Sequence, residues 1–134
     1  MEKILVGMAS EMTSLWAVIY ALNLAKRIQA KISVLFIIDP SEQDPQVKAA
    51  SPIRSQLEKL ISDGRLEGLS IDYYLTCGSF KDELIKFIHE KRINLLVIDY
   101  PLPDRRIEGE KFPELLEEIK LRSDCRIEVV HPKK

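Results

Sequence analysis

ILVGMASEMTSLWAVIYALNLAK, residues 4–26, is the stretch that decides the fold of this chain. Its opening run, Ile4 to Met8, is apolar and predicts a buried strand. From Thr13 to Ile28, small and large apolar residues recur at helical spacing, which predicts a helix with one apolar stripe. That stripe consists of Ala17, Ala21, Leu24 and Ile28, with Val18, Leu22 and Ala25 beside it. A strand, a short polar turn and a helix with small packing residues indicate the start of an α/β fold.

The rest of the chain repeats this alternation of strand and helix. A nearly continuous apolar run predicts a further strand at Ile32–Ile38. Three more strands are predicted at Ile71–Thr76, Leu95–Ile98 and Arg126–Val130. Capping residues and prolines predict three more helices: one from Pro52 that stops before Gly64, one capped by Ser79 that runs to Lys91, and one from Pro113 to Arg122. Residues 39–50 are polar and interrupted by proline, and we expect them to be irregular.

Five buried strands that alternate with four helices predict a parallel sheet with helices on both faces. The 134 residues are expected to form one domain, 1–134, because a chain of this length can bury a core without metals or disulfides. The net charge of −1 argues against broad binding to nucleic acid or an anionic membrane. No apolar stretch approaches the roughly 18 residues of a membrane span. The two distant cysteines, Cys77 and Cys125, form no disulfide framework, and we expect a cytoplasmic protein.

Three parts of the chain resemble the universal stress protein family: Ile4 to Lys26, Thr76-Cys77-Gly78 before a helix, and INLLVID at residues 93–99. The resemblance implies a doubly wound sheet with strand order 3-2-1-4-5. In such sheets a ligand lies at the carboxyl ends of the strands, where the winding reverses between strands 1 and 4. The walls of this crevice are then expected to be Ala9, Ser10, Asp39, Gly78 and the segment from Asp99 to Leu102.

The chain departs from the family pattern at both nucleotide-binding elements. Nucleotide-binding members carry Asp at the end of the first strand, where this chain has Ala9. Their glycine-rich loop, G-x2-G-x9-G-[ST], aligns with Asp99, Leu102, Phe112 and Pro113. A phosphate cradle needs glycines that let backbone N–H groups approach the ligand. We therefore predict the non-nucleotide-binding branch, with no cofactor and no ATP. The alternative is a degenerate adenine-nucleotide sensor that holds phosphates with Arg105 and Arg106, or at a displaced site near Gly109.

The remaining reactive side chains do not assemble into a catalytic or metal site. Cys77 precedes a helix N-terminus, where a thiol pKa falls, but it has no recognisable His partner. His89 is interpreted as a surface residue and His131 as part of a frayed tail, so no zinc site is predicted. Ser10, Thr13 and Ser14 are explained as helix-capping residues. We predict no enzyme activity and no bound metal.

A few polar and aromatic side chains have open interpretations. Trp16 lies beside the small-residue stripe, either at the edge of the core or as an anchor for a partner. Tyr73 and Tyr74 point to opposite faces of their strand, and both hydroxyls are expected to reach solvent. The carboxylates of Asp39 and Asp99 are interpreted as separately solvated, although they could meet at the crevice mouth.

The last strand, RIEVV at residues 126–130, is expected to form an edge of the sheet. Members of the resembled family commonly dimerise through this strand, which implies a homodimer in which Arg126 of one chain faces Glu128 of the other. The interface is predicted to consist of Arg126, Ile127, Glu128, Val129 and Val130. The resemblance thus implies a small, dimeric regulatory or stress-response protein that acts through a protein partner of unknown identity.

Overall fold

The structure is a computed structural model that describes residues 2–9, 15–38, 52–100 and 111–131. These residues form alternating strands and helices. The strands are β1 (Lys3–Ala9), β2 (Lys31–Ile38), β3 (Ile71–Cys77), β4 (Leu95–Asp99) and β5 (Arg126–Val130). The helices are α1 (Trp16–Ile28), α2 (Pro52–Leu66), α3 (Phe80–Lys91) and α4 (Phe112–Arg122). The strand over Arg126–Val130 and the end of α3 at Lys91 agree with the sequence prediction.

The five strands form one sheet in the order β3-β2-β1-β4-β5. Every neighbouring pair is parallel. The predicted fold class and strand order are therefore confirmed. Because all strands run in the same direction, their carboxyl ends meet at one edge of the sheet and their amino ends at the other.

The sheet separates two apolar cores. The first core lies under α1 and α2 and includes Val6 of β1, Ala21 of α1 and Leu57 of α2. The second core lies under α3 and α4, where Leu5 of β1 packs with Leu84. Successive residues of β1 thus point to opposite faces, and both faces are covered. This explains why the central strands read as continuous apolar runs rather than as alternating patterns.

Gly7 of β1 leaves room for the Leu84 side chain of α3. A Cβ atom at this position would lie 2.6 Å from Cδ2 of Leu84. That separation is too short for two carbon atoms, so a larger residue at this position would require the Leu84 side chain to move.

The prediction that the second helix stops before Gly64 is wrong, because α2 continues to Leu66. Gly64 is a close-packing residue, since a Cβ atom there would lie 2.7 Å from Cδ1 of Ile71 and 3.3 Å from Cδ2 of Leu22. The left-handed conformation that often follows a helix is adopted by Gly68, with φ of 94°. The end of α2 is therefore marked by Gly68 and not by Gly64.

The apolar stripe predicted for α1 ends one turn early. Ala17, Ala21 and Ala25 are buried, but Ile28 is 46% exposed. Gln29 follows it in the left-handed conformation, with φ of 54° and ψ of 52°. The chain therefore leaves the helix at this point, and Ile28 does not reach the core.

Candidate functional site

The carboxyl ends of β1 and β4 frame the candidate site. β1 leads to α1 on one face of the sheet and β4 leads to α4 on the other. The chain thus reverses its winding between these neighbouring strands, which is where ligands bind in doubly wound sheets. Ala9 closes β1 with 1% of its surface exposed, and Asp99 closes β4 with 3% exposed. Ala9 offers no polar side-chain atom to a ligand.

Asp99 caps helix α1 from the neighbouring strand. Its Oδ1 accepts a hydrogen bond of 2.8 Å from the backbone N–H of Ala17. Leu15 at the N-cap of α1 supplies no side-chain hydrogen bond, and the first turn holds no acidic residue. The predicted capping residues Ser10, Thr13 and Ser14 lie outside the described residues. A helix N-terminus carries a partial positive charge and free N–H donors, which attract phosphates and carboxylates. In this protein a carboxylate of the chain itself occupies that position.

The interpretation of Asp99 as a separately solvated carboxylate is therefore wrong. The side chain is buried because the N-terminus of α1 lies across the crevice and supplies a donor to it. The sequence signal for this contact was the Asp at the end of a buried strand. Its closeness to the start of α1 became visible only once the strand order was known.

An aromatic cluster covers the ends of β4 and β5 beside Asp99. The N–H of Tyr100 donates a 2.8 Å hydrogen bond to the carbonyl of Val130. The Tyr100 ring stacks on His131, with ring centroids 4.8 Å apart and an angle of 26° between the planes. It also meets the edge of Phe112 at 5.2 Å. His131 was predicted to belong to a frayed tail, and that prediction is wrong because its ring is held against Tyr100.

The start of α4 is poorly suited to a phosphate. Phe112 is buried in the second core, and proline occupies the first turn. Proline carries no N–H group, so one of the donors that a helix N-terminus normally presents is missing. The prediction that Pro113 opens this helix is confirmed.

Gly78 lies at the carboxyl end of β3, where its N–H donates to the carbonyl of Ile38 at 2.9 Å. The predicted cap of the next helix is confirmed, because Oγ of Ser79 accepts from the N–H of Asp82 at 3.5 Å. Thr76 Oγ1 donates to Glu83 Oε1 at 3.0 Å. The polar groups at this end of β3 thus serve the turn into α3.

Seven residues of the predicted crevice and of the alternative phosphate site lie outside the described residues. They are Ser10, Asp39, Pro101, Leu102, Arg105, Arg106 and Gly109. The predictions for these positions, including a phosphate site formed by the two arginines, stay predictions.

The universal stress protein family model matches residues 1–99 of the chain. The chain belongs to the universal stress protein family. The match ends at Asp99, the residue that caps α1. No curated protein sequence matches the chain.

Solved structures of other universal stress proteins share this fold over nearly the full chain. One, in complex with cAMP, superposes with a TM-score of 0.69 and 22% identity and covers 98% of both chains. UspA from Lactobacillus plantarum gives a TM-score of 0.69 and 17% identity and covers 96% of this chain and 97% of its own. A universal stress protein from Archaeoglobus fulgidus in complex with dAMP gives a TM-score of 0.63 and 16% identity, with coverage of 96% and 97%. At these identities the likeness shows a common fold.

Metal and thiol chemistry receives no support within residues 2–9, 15–38, 52–100 and 111–131. Over these ranges no group of three or more His, Cys, Asp or Glu side chains is placed to hold a metal ion. Cys77 is an exposed free thiol and Cys125 a half-buried one. His89 is exposed as predicted, and its Nε2 lies 2.7 Å from the carbonyl of Arg122, which ties α3 to α4.

The two adjacent tyrosines of β3 point to opposite faces, as predicted. Tyr73 packs on the first core and Tyr74 on the second. The Tyr73 hydroxyl does not reach solvent, however, but is buried beside the Arg54 side chain. Burial raises the pKa of Tyr73, and the nearby Arg54 guanidinium opposes that rise. Trp16 is half-buried at the start of α1, which leaves both of its interpretations open.

β5 forms one edge of the sheet and pairs with β4 alone among the described strands. Ile127 and Val129 pack against the second core, and Val130 packs against the first. Arg126 and Glu128 are exposed. Arg126 forms an ion pair with Glu2 of its own chain. The predicted interface residues therefore lie on the outer strand of the described sheet.

No described helix is long and apolar enough to cross a membrane.

Proposed function

We propose that this universal stress protein is a dimeric regulatory protein of the stress response that acts through protein partners and holds no nucleotide. The observation that carries the proposal is the Asp99 carboxylate on the N-terminus of α1. It occupies the Ala17 N–H donor and lies at the positive helix end that a phosphate group requires. The proposal places the chain in the branch of the family that does not bind nucleotides.

Electrostatics support this proposal. Two like unit charges 4 Å apart repel each other by about 4 kcal/mol at an effective dielectric constant of about 20. A phosphate that entered beside Asp99 would meet this repulsion and would also have to compete for the Ala17 N–H. Ala9 adds no compensating hydrogen bond at the end of β1, and the aromatic cluster fills the neighbouring strand ends.

Isothermal titration of the purified protein with ATP and magnesium tests the proposal. We expect no saturable heat up to millimolar ATP. Asp99→Asn is the matched variant, because its amide oxygen still accepts from Ala17 while the negative charge is gone. If charge is the obstacle, this variant gains measurable affinity for ATP. Tight, saturable binding by the unaltered protein would overturn the proposal.

A nucleotide sensor is the second candidate, because family structures exist in complex with cAMP and dAMP. In that version Arg105 and Arg106 hold the phosphates in place of the missing glycine loop. Changing both arginines to Ala then abolishes ATP binding. Unaltered affinity in the double variant would reject this version.

We propose that β5 joins two copies of the chain. An edge strand with open N–H and C=O groups pairs readily with another strand, and a two-fold contact between β5 strands would bring Arg126 of each chain opposite Glu128 of the other. We expect light scattering to show a dimer that Glu128→Arg weakens. The charge swap Arg126→Glu with Glu128→Arg restores it. A monomer at high protein concentration would contradict the proposal.

The proposed role is not enzymatic. Among the thiols and imidazoles that the structure describes, Cys77 lies on β3, His89 on α3, Cys125 just before β5 and His131 just after it, so no thiol shares a helix or strand with an imidazole. We further propose that one domain, residues 1–134, carries the role. A cytoplasmic location is proposed because both cysteines are free thiols.

A further inference from the structure

A second cavity, of about 370 Å³, opens at the amino edge of the sheet, opposite the crevice. It lies beside the first residues of the strands and the C-terminal end of α3. Two acidic side chains, Asp72 and Glu90, contribute to its wall. Four basic side chains outnumber them: Lys3, Lys31, Lys91 and Arg92. The whole chain carries a net charge of −1, so this surplus of positive charge is a local feature.

Three of the four basic side chains are already engaged. Lys31 forms an ion pair with Asp72 at 3.3 Å. Lys3 Nζ donates to the carbonyl of Lys91 at 3.3 Å, and the Lys91 ammonium lies 5.8 Å from the centre of the Tyr74 ring. These contacts hold the lysines at the rim of the cavity. The Arg92 guanidinium is different, since no ion pair or hydrogen bond joins it to the residues that the structure describes.

The backbone of Arg92 is held in an unfavourable conformation. The residue follows α3 with φ of 53° and ψ of 54°, in the left-handed region where glycine or asparagine is normally found. An L-residue with a Cβ atom is strained there, and such strain gathers at functional positions. Gln29 adopts the same conformation after α1, with φ of 54°, but does not line this cavity.

Ser33 supplies a second unused donor to the same cavity. It is 7% exposed and is the one polar residue between Ile32 and Ile38 of β2. It lies next to Leu5 of β1 and Asp72 of β3 in the sheet register. No hydrogen bond links its hydroxyl to another described residue. Because Ser33 lines the cavity, its hydroxyl is available to a polar partner there.

We propose that this cavity binds a small oxyanion with more than one negative charge, either inorganic phosphate or the phosphate of a phosphomonoester. Arg92 donates from its planar fork and Ser33 from its hydroxyl, while the lysines at the rim add positive potential. The cavity volume lies within the range of small-molecule sites. This site is separate from the crevice and does not depend on the proposed function.

Titration of the 15N-labelled full chain with inorganic phosphate tests the proposal. We expect saturable shifts of the amide signals of Ser33, Arg92 and Ile93, with little change at Ala17 in the crevice. Sodium chloride at the same ionic strength should not reproduce them. A parallel titration with glycerol phosphate decides the source: equal or tighter binding assigns the site to phosphomonoesters, and binding of inorganic phosphate alone assigns it to the free ion.

The matched variants are Arg92→Gly and Gln29→Gly. Both replace a strained left-handed residue with glycine, so both should fold with an unchanged or higher melting temperature. Arg92→Gly is expected to weaken phosphate binding about tenfold, the effect of one charge-assisted hydrogen bond. Gln29→Gly should leave binding unchanged.

Two results would overturn the inference. One is a pattern of phosphate shifts that is also obtained with chloride, or that centres on Ala17 instead of Ser33. The other is equal phosphate affinity of Arg92→Gly and Gln29→Gly. In either case the basic residues at this edge serve only to offset the partial negative charge of the helix C-terminus.

Discussion

The two edges of the sheet carry side chains of opposite charge at the helix ends. In a parallel sheet with helical crossovers, the helix N-termini gather at the carboxyl edge and the helix C-termini at the amino edge. The carboxyl edge should therefore attract anions, yet Asp99 already occupies the start of α1. The amino edge should favour cations, and the last turns of α1, α2 and α3 all carry basic residues. Arg92 and Ser33 add hydrogen-bond donors at this edge, and neither side chain forms a hydrogen bond within the described part of the chain. The position of the helices alone therefore does not tell which end receives a ligand.

The largest expected change in the free energy of unfolding comes from removing the carboxylate at the carboxyl edge. Asp99→Ala leaves the Ala17 N–H buried without its acceptor and removes the charge that favours the helix start. We expect a loss of about 2 kcal/mol in the free energy of unfolding, measured by urea denaturation.

Asp99→Asn is the control for that measurement, since an amide oxygen can still accept from Ala17. Its cost should be about half as large. An Asp99→Ala protein as stable as the original would show that the carboxylate does not hold the two elements together, and the contrast between the two edges would fail.

A smaller loss in the free energy of unfolding is expected when the aromatic cluster at the carboxyl edge is disrupted. Tyr100→Ala removes the stack on His131 and the edge contact with Phe112, and we expect a loss of about 1 kcal/mol. Leu121→Ala is a suitable comparison because that side chain is 80% exposed, and it should change stability by less than about 0.5 kcal/mol. Equal effects of the two changes in urea denaturation would argue against a structured cluster.

Substitutions at the amino edge should raise the free energy of unfolding, whereas those at the carboxyl edge lower it. Arg92→Gly relieves a left-handed residue and is expected to raise the free energy of unfolding by about 0.5 to 1 kcal/mol. Gln29→Gly should do the same, because the two backbones match within a few degrees. Thermal unfolding of the three proteins measures this, and a destabilised Arg92→Gly protein would mean that the side chain supports the fold.

The smallest effect is a pH dependence at the amino edge. Burial raises the pKa of the Cys125 thiol above its ordinary value of 9.0, and the neighbouring Ser123 hydroxyl opposes that rise. The unfolded chain therefore loses this proton at a lower pH than the folded one. Stability from the neutral thiol is fully present below pH 9.0 and is lost as pH rises through the folded pKa. Cys125→Ala should flatten the fall of the unfolding free energy above pH 9.0; an unchanged slope would contradict this.

Most of the fold could be predicted from local patterns. The five strands and the helix starts at Pro52, Phe80 and Phe112 follow from apolar runs, prolines and the Ser79 cap. The errors arose where one residue type has two uses. In the sequence, Gly64 predicts a helix stop, whereas in the structure it allows close packing against Ile71, and only the neighbouring chain segments distinguish these roles.

The candidate site was less predictable because its contacts join distant parts of the chain. Ala9 and Asp99 were placed correctly at the strand ends. That Asp99 caps α1, that His131 stacks on Tyr100, and that the Tyr73 hydroxyl is buried all depend on neighbours far away in sequence. Local patterns report which faces are apolar, but they do not report which polar atoms meet across a crevice.

The sequence by itself determined the class of this protein. Apolar periodicity, short turns and the stretch at residues 4–26 specify alternating strands and helices, because burial of apolar faces allows few arrangements. Only the tertiary structure decided how the two edges of the sheet are used. Placing β4 beside β1 brings the Asp99 carboxylate to the start of α1, and the end of α3 brings Arg92 to the cavity that Ser33 lines. Such pairings follow from three-dimensional proximity, because hydrogen bonds and charges act over a few ångströms of space.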